Sequence, residues 1–317
     1  MPEELTRALR HFQDAYHLEN PAPDVDKSSL FSGFYRRLAL AAGGTDEAAS
    51  MLGDAVGELS RLIHEWDDRI ESSGDPTVLA VRYGAAMRSA NAALAPAAQV
   101  LFGDPEDFDR CCSRAAARIG SYFASEERAM GAAESTADLH ELLRRGNCDF
   151  DCYNALLFRV LDERAATSLA SFLGHYLVAD LIADHIVDLP EDLARSTYNP
   201  LVVLHRLLTG EASLPYGVTC SRLNAGDGYQ RLLGSPRIRS WFIDCAKRHL
   251  VDARTALDSI RPSSLNALLS LCCAGLAEGY TLFESQQGFC WMEPARRLQV
   301  LTLLLKPHPW ERFHRED

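Results

Sequence analysis

The stretch from Phe172 to Asn199, FLGHYLVADLIADHIVDLPEDLARSTYN, constrains this chain more than any other. Phe172, Tyr176, Asp180, Asp184 and Asp188 recur every four residues, a helical stripe that turns from aromatic to acidic along one face. Elsewhere the same helix is apolar, with Leu173, Leu177, Val178, Leu181, Ile182, Ile186 and Val187. A helix that is hydrophobic nearly all round belongs inside a protein. Carboxylates in such a setting repel one another and lose solvation, so they need compensating cations. Oxygen ligands at this spacing suit Mg²⁺, a hard octahedral ion commonly shared with a substrate's phosphates. The alternative is an acidic face turned to water, and the apolar surround argues against it.

The rest of the chain reads as helix. Helical periods cover about 3–17, Phe31–Ala42, a third segment from 46 to about 71, then 77–101, 106–130, 135–145, 150–164, 167–188, 200–209, 236–259, 263–285 and 293–305. Gly43-Gly44 ends one helix, and Thr45 or Asp46 can cap the next. Pro190 lacks an N–H and crowds the preceding turn, so the aspartate helix should kink or stop there, leaving 190–198 irregular. Residues 210–228 read as a Gly-rich connection. Alternating strands and fixed-period repeats are lacking, which predicts one all-α domain over 1–317, with 1–27 and 306–317 peripheral. A hydrophobic content of 47% across 317 residues is ample for its core.

Charge and thiols narrow the partners. A net charge of −12 argues against nucleic acid or an anionic membrane surface. The nine cysteines are scattered or adjacent within helical patterns, as reduced buried thiols are. The start, MPEELTRALRHF, shows no apolar core before a cleavage site, and Leu265–Leu282 is interrupted by Asn266, Ser270 and Glu278. A cytoplasmic protein without stable membrane insertion is the expectation; a homodimer is left open.

A second acidic cluster sits at the end of the third helix, in HEWDDRIES (64–72). Asp67 and Glu71 are four apart and share a face, with Asp68 beside them. Alone the pattern is that of many solvated helices. Its weight comes from Asp184 and Asp188, which also lie near the end of a long apolar helix. Two such helices packed together would point carboxylates across one cavity.

These features resemble the class I isoprenoid synthases: trans-prenyl diphosphate synthases, class I terpene cyclases and the squalene/phytoene group. GFYRRLAL (33–40) is similar to their G-K-x-x-R-P start, and ELSRLIHEWDDRIE (58–71) to their first acidic helix. GDPTVLAVRYGAAMRSANAAL (74–94) resembles the stretch that follows it, and ADHIVDLPEDLARSTYN (183–199) the second acidic motif, closest to its D-x-x-x-D-x-x-x-D form. The resemblance implies a helical bundle around a central cavity, holding two or three Mg²⁺ ions. Asp67, Asp68 and Glu71 would take the metals on one side, and Asp184 and Asp188 on the other. Asp180 and Asp192 extend the second motif, whose register the sequence leaves open. The substrate implied is an allylic prenyl diphosphate, whose diphosphate leaves with metal assistance to give a carbocation. Phe172, Tyr176 and Trp66 lie on suitable helices for the cavity wall, although ordinary core packing is the weightier reading of each. Arg195 and then Arg145 are the favoured diphosphate contacts, with Tyr198 and Asn199 close by. From an irregular segment 190–198, Arg195 and Tyr198 would close as a lid.

Departures from the family pattern separate its chemistries. His185 stands where prenyl synthases carry the second Asp of D-D-x-x-D, and the lysine of the G-K-x-x-R start is replaced. The arginine pair after the first acidic motif is missing; the chain reads ESSGDP. A second diphosphate would meet a neutral or acidic neighbourhood, apart from Arg36 and Arg37. Cyclisation of one allylic diphosphate is therefore expected. The alternatives are a prenyltransferase and a non-catalytic partner subunit with a decayed metal motif. Cys148 and Cys152 form a C-x-x-x-C with no second thiol–histidine pair of matching spacing, so structural zinc is not expected there.

Overall fold

The computed structural model describes residues 27–71, 105–132, 135–146, 150–225, 232–261 and 263–285, and within these helices some side chains, those of 27–30 and 62–71 among them, lie outside that set. The helices expected at 3–17, 77–101 and 293–305, and both peripheral ends, lie outside the described residues. Among the described residues the chain is all-α, without a strand.

A helical hairpin begins it. Helix α1 (Lys27–Ala41) and helix α2 (Asp46–Glu71) are joined by a turn of four residues and pack along each other. Gly43 takes φ 93°, a left-handed conformation that favours glycine. A side chain at Gly44 would put its Cβ 2.9 Å from the Ala39 carbonyl oxygen. Thr45 then caps α2, its Oγ1 accepting from the Ala48 N–H at 3.2 Å. Tyr35, Leu38, Leu52, Val56 and Leu59 zip the hairpin shut, each buried.

Helices α3 (Pro105–Ala132), α4 (Thr136–Arg145) and α5 (Phe150–Leu157) follow. Helix α5 carries Tyr153 into an aromatic cluster with Phe31, Tyr35 and Phe150, mostly edge-to-face at 5.3–5.8 Å. There Tyr35 donates its hydroxyl to Asn154 Oδ1 at 2.8 Å, tying α1 to α5. The helix expected over 150–164 stops at Leu157, because Asp162 caps a new one by accepting from the Ala165 N–H at 2.8 Å.

That new helix, α6 (Glu163–Arg195), is the axis of the fold. Leu169, Phe172, Leu173, Val178, Ala179, Ile182, Ile186, Leu189 and Leu193 are all buried along it. Residues Glu163–Ile186 are long and apolar enough to cross a membrane, and half of that window is buried within the protein, as in a core helix. Helix α9 (Pro236–Leu257) packs along α6, and α10 (Ser263–Ser285) packs on both. Tyr280 on α10 donates its hydroxyl to the Ala179 carbonyl, and Asn266 donates to the Leu257 carbonyl at 2.6 Å. One core cluster thus extends from Tyr35 to Tyr280. Cys220, Cys245, Cys272 and Cys273 are buried free thiols, as expected.

Two expectations about the segment after Ile186 fail. Helix α6 does not stop at Pro190 but runs on to Arg195. Pro190 is exposed, on the side where a helix tolerates widening, while Leu189 and Leu193 anchor the turns around it in the core. Helix α6 closes at Ser196, which takes φ 59° and donates its N–H to the Asp192 carbonyl. Segment 190–198 is therefore helical over its first six residues. The connection expected over 210–228 contains a 3₁₀ turn (Glu211–Ser213) and helix α8 (Tyr216–Asn224). Helix α7 (Pro200–Thr209) precedes them, with Asn199 as N-cap, Pro200 in its first turn and Gly210 at φ 73° as C-cap.

Candidate functional site

The acidic stripe of α6 exists, and it winds. Each step of four residues advances about 40° around a helix, so Phe172 and Asp188 stand about 160° apart. The five residues do not share one face, as the sequence spacing suggested. Phe172 and Tyr176 are buried and stacked at 5.5 Å with ring planes 13° apart. Asp180 and Asp184 are half-buried, and Asp188 is exposed. Asp180 lies close enough to Cys272 and Tyr280 on α10 to help hold the thiol and phenol protonated, after burial itself, which pushes Cys272 up to about 12. The middle of the stripe is thus a pair of carboxylates one turn apart, set between buried Ala179, Ile182, Ala183 and Ile186. Two such oxygen donors fit Mg²⁺, which binds through one or two carboxylates and completes its shell with water or phosphate.

The opposing cluster is placed only in part. Asp67, Asp68 and Glu71 lie in the final turns of α2, so Asp67 and Glu71 share a helix face. Their side chains, and that of Trp66, lie outside the described residues.

Four other candidates have local partners. Asp192 accepts from the Thr197 hydroxyl and from Asn199 Nδ2, both at 2.7 Å. Asn199 is fully buried; it also donates to the His185 carbonyl at 2.8 Å and accepts from the Leu201 N–H at 3.0 Å. Its own N–H meets the Tyr216 hydroxyl at 2.8 Å. Asp192 and Asn199 therefore bolt the end of α6 to α7 and α8. Arg145 and Arg195 are exposed, and each pairs with a glutamate one turn earlier, Glu141 at 2.9 Å and Glu191 at 2.7 Å.

Tyr198 is buried beside His185, ring edge to ring face with centroids 5.9 Å apart. Neither the Tyr198 hydroxyl nor His185 Nε2 has a hydrogen-bond partner among the described residues. Burial holds the imidazole neutral, lowering its pKa to about 4, and pushes the phenol well above its ordinary value.

A second constellation was not foreseen. His140 from α4, His175 from α6 and Cys245 and His249 from α9 converge at 3.1 Å nitrogen contacts centred on His249. Its one trace in the sequence is C-x-x-x-H, two residues sharing a helix face over 245–249; the other histidines are distant along the chain. Comparison with known proteins finds no matching family model, no matching curated protein and no matching solved structure.

Proposed function

We propose that this protein is a soluble, cytoplasmic, Mg²⁺-dependent class I terpene cyclase, which ionises one allylic prenyl diphosphate and releases a cyclic hydrocarbon or alcohol. The observation that carries this is the half-buried pair Asp180 and Asp184, midway along the axial helix of an all-α fold and set among buried Ala179, Ile182, Ala183 and Ile186. Bound Mg²⁺ would supply charge neutralisation for the departing diphosphate. Asp180 and Asp184 would hold the ions on the α6 side, with Asp188 at the solvent edge, and Asp67, Asp68 and Glu71 would hold them from α2. The apolar flanks of α6 would keep water from the reacting carbon. Arg195 lies two turns beyond Asp188 on nearly the same face, and would reach a diphosphate after leaving Glu191. Since it sits on a regular helix, its part would be a side-chain rotation rather than closure of an irregular lid. Asp192 and Asn199 act as the bolt beneath this end of the helix.

The engagement of Asp192, Asn199 and Arg145 in local contacts favours a second reading, a non-catalytic helical subunit. One assay separates the two. Purified protein is incubated with Mg²⁺ and allylic diphosphates of increasing length, with and without isopentenyl diphosphate. The expected outcome is diphosphate release that needs Mg²⁺, leaves isopentenyl diphosphate unconsumed and falls at least a hundredfold in Asp184→Ala, on the order of 3 kcal/mol of transition-state stabilisation. Full turnover in chelator, or in an Asp67→Ala/Asp184→Ala double variant, would end the metal hypothesis. A longer linear prenyl diphosphate would identify a prenyltransferase, and no turnover with any substrate would favour the subunit.

A further inference from the structure

The four-residue constellation at the junction of α4, α6 and α9 does not include the acidic pair. His175 lies five positions before Asp180 and nine before Asp184 on α6, about 7.5 and 13.5 Å of helix. His140 Nε2 and His249 Nε2 are 3.1 Å apart, and the ligand atoms of His140, Cys245 and His249 all lie within 4.8 Å of one another. Two nitrogens on one tetrahedral Zn²⁺, with bonds of about 2.0–2.1 Å, stand about 3.3 Å apart. The histidine pair therefore already has the bite of a metal site. A nitrogen and a thiolate on the same ion stand about 3.6 Å apart, so the Cys245 sulfur needs to close in on either nitrogen by at most about 1.2 Å.

The second nitrogen of His249 is also committed. His249 Nδ1 is 3.1 Å from His175 Nδ1, and that atom lies 3.8 Å from an Asp252 carboxylate oxygen. With His249 donating from Nδ1 to His175, its Nε2 carries a lone pair aimed at His140. An outer partner of this kind fixes the tautomer and orientation of metal-binding histidines. His249 is buried and His140 half-buried, so each ring presents its Nε2 to the other from a packed position. Cys245 is a buried free thiol, and a coordinated thiol is deprotonated by the bound cation itself. Arg144 and Arg248 lie near His140, but both are exposed to screening water and would favour an anion at any open coordination position.

We infer that His140, Cys245 and His249 form a binding site for a borderline transition-metal ion of the Zn²⁺ class, oriented by His175 and open at a fourth position. Two imidazoles and a thiolate select such ions over Mg²⁺.

The test uses the full chain, reduced and stripped of metal, titrated first with Co²⁺ and then with Zn²⁺. One equivalent of Co²⁺ should give a thiolate-to-cobalt absorption band in the near ultraviolet, and Zn²⁺ should abolish it. Cys245→Ser should lose the band, and His140→Gln, at a partly exposed position, should weaken Zn²⁺ binding by more than the roughly 10–100-fold that losing an outer partner costs. Metal-free melting temperatures of both variants check that they fold; if one does not, the other carries the test. Asp184→Ala should keep the band, so failure of the proposed cyclase activity leaves this site standing. A wild-type protein without the band, or unchanged Zn²⁺ affinity in Cys245→Ser/His140→Gln, would overturn the assignment.

Discussion

Replacing Asn199 with alanine should unbolt the end of α6 without touching its hydrophobic core. The side chain of Asn199 makes three bonds: to the His185 carbonyl, to Asp192 and from the Leu201 N–H. Loss of an N-cap costs about 1 kcal/mol. Leaving the part-buried His185 carbonyl and one oxygen of the half-buried Asp192 carboxylate a bond short costs about 1–3 kcal/mol each, with Asp192 at the low end because Thr197 still serves it. The sum is about 3–5 kcal/mol, a large share of the roughly 5–15 kcal/mol that a folded protein commands. Urea unfolding followed by circular dichroism reads it directly: at an m-value of about 3 kcal/mol/M, the midpoint should fall by about 1–1.7 M. A double-mutant cycle with Asp192→Ala should return a coupling of at least about 0.5 kcal/mol. A midpoint shift worth less than 1 kcal/mol, or zero coupling, would refute the bolt and return Asn199 to the substrate contacts that its sequence neighbourhood suggested.

Pro190→Ala restores a missing donor within a continuous helix, so thermal stability should rise, by up to about 3 kcal/mol; a fall in melting temperature would show that the proline relieves some other constraint. Arg206 is buried and donates to the carbonyls of Met130, Ala212 and Leu214, so Arg206→Met should strand them and cost about 3–5 kcal/mol in urea unfolding. His185 and His249, each lowered to about 4, make stability depend on acidity. Unfolded imidazoles titrate near 6.5, so the unfolded chain binds more protons between the two values. The contribution is complete above about pH 6.5 and is lost as the pH falls toward 4, on the order of a few kcal/mol; His185→Leu should flatten the urea midpoint across that window.

Helix positions were largely legible because apolar periodicity is a local record of burial. The α2 segment and the range 263–285 were placed closely, and Thr45 caps α2 as its residue type suggests. Pro190 misled because its propensity is local, whereas Leu189, Leu193 and the Asp192–Asn199 bolt act through tertiary packing. Helix α8 was hidden by glycines and polar residues over 210–228, whose helical stretch is decided by buried Tyr216, Cys220 and Leu223. The acidic stripe was legible as spacing, but its winding carries Asp188 out to solvent. The histidine constellation draws on three separate helices, and periodicity within one segment cannot report it.

Arg206 gives the molecule a direction in which to come apart. It joins the end of α3 to the turn before α8 and packs over the Tyr216 ring at 5.5 Å. The joint at His140, His175 and His249 rests on ring nitrogens 3.1 Å apart, and burial keeps the His140 and His249 rings neutral until acid charges them. Acid should therefore loosen the protein first where histidines hold helices together: as the pH falls toward 4, amide exchange in α4, in the middle of α9 and around His185 should quicken before that of Met130 and Leu214, which Arg206 clasps.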